Sequence, residues 1–295
     1  MNNKLNNMIQ DYFKNNKVDS IEEANEKLQE FLEMYNNNEL EYENTPLDDA
    51  YEILDKAENA KSKKEAIRLA KEAYKKTSEC FDAIIFLCGL EENAGKRMSL
   101  LDEGLIKEKE RLIKEKYFDK ENIGHFYGIF ETRPYIRGLV TKVDFLLEEG
   151  KLRLAEELCK EILRLNTNDN LGVRYLLMAI YAVLEDENNM MKLYKKYPEE
   201  NLETLFPLFA LNYKIGNDKK AKSYLKKVHN CNPNFVKLFN GTIKMNEDIE
   251  PGCYCRGNSS EVLMYIERYI FLIVSMPRLK EYVLENIKID KKNNK

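Results

Sequence analysis

A three-point signature returns along this chain with a fixed internal spacing, and that recurrence restricts the fold more than any other feature. Gly150, Ala155 and Thr167 are matched at the same offsets by Gly216, Ala221 and Pro233, 66 residues later. Lys61, Ala66 and Ser78 show the same spacing. In each unit a turn residue stands five positions before a small residue, and a second turn signal follows twelve positions after it. The 66-residue interval is two periods of 33, the length of one helix pair with its connections. A single pair cannot bury its apolar face alone, so such units stack on their neighbours. Ala66, Ala155 and Ala221 let paired helices approach closely. Gly150 and Gly216 suit the positive φ that ends a helix.

Apolar periodicity fills in the helices. Ser20-Ile21-Glu22-Glu23 reads as a capping box opening a helix that ends at Asn36-Asn37-Asn38. Thr45-Pro46 starts another, with Leu47, Ala50, Tyr51, Leu54 and Ala57 on one face. Ser62 caps the next, and Phe81–Leu90 reads as a buried helix. Leu100–Tyr117 reads as a longer, charge-rich helix. Residues 118–134 are too irregular for a continuous helix. Beyond them the spacing predicts pairs: Tyr135–Glu149 with Leu152–Leu165, Leu171–Leu184 with Asn189–Tyr197, and Leu202–Lys214 with Lys219–His229. Ser259–Ile287 is helical with a break at Pro277. No run alternates with period two for long enough to support a sheet. The expected domains are therefore N-terminal helices over 1–44, an array over 45–290 and a fraying tail over 291–295.

Charge narrows the function. The formal net charge of −4 argues against duplex nucleic acid as a partner, because phosphate binding draws on a basic surplus. Charged residues at 33% and hydrophobic ones at 43% suit helices with one wet face rather than disorder. The start, Met1-Asn2-Asn3-Lys4-Leu5, leads into polar sequence, and the longest apolar run, Tyr269 to Met276, is too short to span a bilayer. A cytoplasmic protein without membrane contact is the expectation, with its six cysteines reduced. Cys80, Cys88 and Cys159 fall on apolar faces. Cys253-x-Cys255 is a single pair, and a structural zinc site needs four ligands, so no metal is assigned.

The strings Gly124-His125-Phe126-Tyr127-Gly128, Glu131-Thr132-Arg133-Pro134-Tyr135 and Asn168-Asp169-Asn170-Leu171-Gly172-Val173-Arg174-Tyr175 go beyond generic repeat sequence. Together with Pro251-Gly252 they resemble bacterial tetratricopeptide-repeat proteins, and more distantly the suppression-of-tumorigenicity repeat family. The resemblance covers roughly Pro46 to Leu284. It implies an all-α solenoid, a right-handed superhelix of antiparallel helix hairpins, and no established activity.

His125, Glu131, Arg133 and Arg137 crowd one irregular segment, and Asn170 and Arg174 follow about one repeat later. Arginine forks bind carboxylates bidentately, so these six residues form the candidate partner-binding site. The competing reading is that Glu131 pairs with an arginine to fix the loop. Asn166, Asn168, Asp169 and Asn170 lack the glycine and closing glutamate of a calcium loop and read as turn and capping residues. Tyr194, Tyr197 and Tyr213 are candidates for a recognition surface.

No phosphate-cradling loop, nucleophile elbow or metal-ligand helix is present, so neither a cofactor nor an enzymatic activity is expected. The function expected is a non-catalytic protein- or peptide-binding adaptor or scaffold. A second possibility is a regulator sensing a small anionic ligand or short peptide through its arginines. A third, a hydrolase using His125 and Glu131, requires both side chains in an enclosed pocket.

Overall fold

Helix after helix follows from the capping and periodicity just described, and the computed structural model describes residues 3–37, 39–40, 42–243 and 255–287. All regular structure among them is helical; the only β-type pairing there is a pair of isolated bridges from Gly124 and His125 to Asn166. No helix among the described residues is long and apolar enough to cross a membrane. The chain divides into two compact units, Met1–Asp119 with Phe130–Thr141, and Lys120–Ile129 with Lys142–Lys295.

The first unit holds α1 (Asn3–Asn15), α2 (Ile21–Asn36), α3 (Pro46–Glu58), α4 (Lys63–Lys76), α5 (Asp82–Leu90) and α6 (Ala94–Lys114). It also takes the N-terminal part of α7 (Arg133–Glu148). Successive helices pack on one another, α3 on α4, α4 on α5 and α5 on α6. α1 packs on both α2 and α3. Ser20, Thr45 and Ser62 each accept a hydrogen bond from the third helical N–H, and Thr45 with Asp48 completes a reciprocal box. Ala50, Leu54 and Ala57 of α3 are buried, as are Ala66, Ala70 and Ala73 of α4. At the centre the ring of Phe81 fits against two residues with no side chain: a Cβ would stand 2.7 Å from it at Gly104 and 2.5 Å at Gly138.

The second unit holds α8 (Leu152–Leu165), α9 (Val173–Leu184), α10 (Glu187–Lys196), α11 (Leu202–Lys214) and α12 (Asp218–Cys231). After them come α13 (Asn234–Phe239), α14 (Ser259–Arg268), α15 (Ile270–Val274) and α16 (Leu279–Asn286). α9 packs on α8 and α10, and α11 packs on both α9 and α12. Thus the first helix of one pair lies on the first helix of the next, as in a helical array. Ala155, Ala221, Val143 and Phe209 are fully buried, so small and bulky residues share the core. Gly150 and Gly216 adopt φ of 70° and 76°, the left-handed conformation expected at a helix end.

Several boundaries differ from the sequence expectation. α6 begins at Ala94 rather than Leu100, because Asn93 supplies an N-cap. α7 begins at Arg133, with Pro134 in its first turn, where a missing N–H costs nothing. The last helical stretch breaks at Tyr269 as well as around Pro277. Cys80, Cys88 and Cys159 are buried as expected, and burial pushes the thiols of Cys80 and Cys88 up to about 12. Cys253, the Pro251-Gly252 motif, Asn38 and the tail 291–295 lie outside the described residues.

Candidate functional site

The six residues singled out in the sequence fall into both units. Glu131, Arg133 and Arg137 belong to the first, and His125, Asn170 and Arg174 to the second. Arg137 forks onto Asp82, with Nε donating at 2.8 Å and Nη2 closing the second bond. The Tyr51 hydroxyl donates to the same carboxylate at 2.7 Å, and burial with the neighbouring charge holds that phenol well above its ordinary pKa. Arg133 lies 4.0 Å over the ring of Phe130. The arginine that holds the loop by Glu131 is Arg111. It donates to the Glu131 backbone carbonyl at 3.3 Å while forking onto buried Glu108 at 2.7 and 3.1 Å. Glu131 is thus anchored through its main chain, and its side chain is exposed. His125 is exposed too, whereas a hydrolytic pair needs enclosure.

In the second unit, Asp169 sits just before α9 with its side chain fully buried. It accepts from the N–H groups of Val173 at 2.7 Å and Arg174 at 2.9 Å, and from Arg174 Nη1 at 2.9 Å. This is the capping role read from the Asn/Asp-rich turn. Burial raises the Asp169 carboxyl despite these donors. Arg174 Nη2 donates to the Tyr175 hydroxyl at 2.7 Å and to Glu199 at 2.8 Å, so the guanidinium sits between two carboxylates. The Tyr175 hydroxyl, itself bonded to Glu199, holds that carboxyl below its usual range. Asn170 is exposed. Of the three tyrosines considered for recognition, Tyr197 donates to the Thr167 carbonyl at 2.8 Å and Tyr213 packs edge-on to Tyr282.

A cavity of about 480 Å³ opens in the second unit where the N-terminal ends of α9 and α11 face α14. Its walls include Tyr175, Leu202, Glu203, Met264, Tyr265 and Tyr269. Tyr265 and Tyr269 stack with ring centres 4.4 Å apart. The Glu203 carboxylate accepts from the Tyr269 hydroxyl at 3.2 Å, long for a hydroxyl-to-carboxylate bond, and stands 4.0 Å from Arg268, long for an ion pair. Burial raises its pKa, against the pull of Arg268 and Tyr269. Tyr265 is 4% exposed, and its hydroxyl has no hydrogen-bond partner among the described residues. An apolar wall carrying a few polar groups is the usual build of a ligand site. Sequence reasoning passed over it because its walls come from separated stretches. The local signal was Glu267-Arg268-Tyr269, a polar triplet set into an otherwise apolar helical run.

A family model described as transcriptional repressor TCF25 matches residues 99–264. The match takes in more than half of the 295 residues, including most of the cavity wall and the strings that resemble tetratricopeptide-repeat proteins. Comparison with curated proteins gives no match.

Proposed function

Because the chain belongs to the Tcf25 family, we propose that it is a non-catalytic protein-binding adaptor whose second unit takes a peptide segment of its partner in the α9–α11–α14 cavity. We further propose that its helix pairs stack in the tetratricopeptide manner. The observation that carries the reading is the cavity itself, open, walled by tyrosine, leucine and methionine, and holding a hydroxyl with no partner among the described residues. Tyrosine gives large contact area at low entropic cost, and a waiting polar group rewards a ligand that satisfies it. The family description names a transcriptional repressor, and a chain of net charge −4 would serve such a role through protein contacts. The anionic-ligand reading draws no support from Arg137 and Arg174, which already face carboxylates.

Selection of a displayed random-peptide library on the full chain tests this, with Met264→Trp as a variant that fills the cavity. Circular dichroism and the melting temperature confirm that the variant is folded. Peptides that wild type enriches and the variant loses support the reading. Absence of enrichment, or equal retention by both proteins, overturns it.

A further inference from the structure

Glu203 is poorly matched where it stands. Both of its side-chain neighbours are distant, at 3.2 and 4.0 Å, whereas a carboxylate paired with a cation settles near 2.7–2.9 Å. Pro207 lies inside α11 and has no N–H, so the Glu203 carbonyl lacks its ordinary helical donor as well. Close by, the Tyr265 hydroxyl is buried without a partner among the described residues. Glu203 is therefore short of donors at both its carboxylate and its carbonyl, while the Tyr265 hydroxyl can donate or accept.

The charges agree. Glu203, Glu261 and Glu267 line the cavity against Arg256 and Arg268, both of which are exposed. Arg174, the other nearby cation, is held between Asp169 and Glu199. An anionic ligand would meet a surplus of carboxylates, and a purely apolar one would desolvate Glu203 and Tyr265 with nothing in return. A cation on a long aliphatic stem meets neither objection. Its stem can follow Leu202 and Met264 while its head reaches the polar groups.

Resting on the peptide-binding reading above, we infer that the cavity receives a lysine or arginine side chain of the bound peptide, whose cationic head displaces Arg268 from beside Glu203. Arg268 is then a loose internal stand-in, 42% exposed and 5.7 Å over the Tyr269 ring. Tyrosine rings around the head add cation–π attraction.

The experiment reads residue preference in the peptides enriched by wild type, then affinity for one synthesised consensus peptide. One fixed position should be lysine or arginine. Replacing it by norleucine, which needs no protein variant, should weaken binding roughly tenfold or more, as should Glu203→Gln. Arg268→Ala, which removes the stand-in, should tighten it. Melting temperatures control for folding of both variants. Enriched peptides that lack a basic residue, or that bind Glu203→Gln and the norleucine peptide unchanged, overturn this inference while leaving the peptide site intact. No enriched peptide at all overturns the site and the inference together.

Discussion

Asp169 does at one position what several residues usually share. It caps α9 with two backbone bonds, holds Arg174, and adopts a left-handed φ of 50°. Asp169→Ala removes the acceptor of two N–H groups at the start of α9 and leaves a part-buried guanidinium short of a partner. We expect a loss of about 2–3 kcal/mol in urea unfolding, with Asp169→Asn milder because asparagine keeps a cap oxygen and tolerates the backbone. Asp186 works in the opposite electrostatic sense. The Asn189 N–H bonds its carboxylate at the start of α10 and lowers its pKa. A carboxyl whose folded pKa is depressed adds stability that is present above its unfolded pKa and is lost as pH falls through the folded value. Asp186→Asn, still a good cap, should therefore flatten the acid limb of stability against pH and change neutral stability little. Denaturant melts across the acid range check this; an unchanged acid limb would place the lowered pKa elsewhere. Asp169 stands in an Asn/Asp-rich turn, which is why its capping was legible there, whereas the environment of its carboxyl was not.

Among the helices, two kinds of glycine give contrasting predictions. Gly216 ends α11 at φ 76° with open space around it, so Gly216→Ala costs only backbone strain, about 1 kcal/mol. Gly138 sits against Phe81, where a Cβ at 2.5 Å forces the ring or the helix to move. Gly138→Ala should cost about 2–3 kcal/mol, and Phe81→Leu should recover part of it in the double variant. Equal losses at the two sites would contradict the packing described. The same contrast shows what sequence could reveal. Gly216 repeats Gly150 in a periodic frame, and α8 and α11 start and stop where that frame puts them. Gly138 carries no such mark, since its demand comes from a ring on another helix. α13, between a proline and the end of an apolar patch, is too short to show a period. The break at Tyr269 has no proline or glycine beside it, so nothing local marks it in the sequence.

For the whole molecule, the sequence showed helix class, pair order and charge, because each is local or additive. It did not show the cavity, whose walls meet only once α9, α11 and α14 are packed. Nor did it show that Arg137 and Arg174 would face carboxylates of their own chain, since Asp82 and Glu199 are far from them along the sequence. The acidic balance carries one further expectation. A labelled duplex oligonucleotide should show no anisotropy change with up to about 10 μM protein at about 150 mM salt. Salt-sensitive binding in that range would return nucleic acid to consideration. Finally, the segment 120–129 is joined to the end of α8 through main-chain groups. Gly124 and Phe126 donate to the Leu165 carbonyl, and Thr167 donates back to Gly124. Such a join reads almost nothing of the side chains it fastens. Gly124 at φ 100° and the buried ring of Phe126 are constrained, whereas exposed positions such as His125 are open to mutational drift. Descendants of this chain can rewrite that surface, His125 included, and still inherit the same clasp.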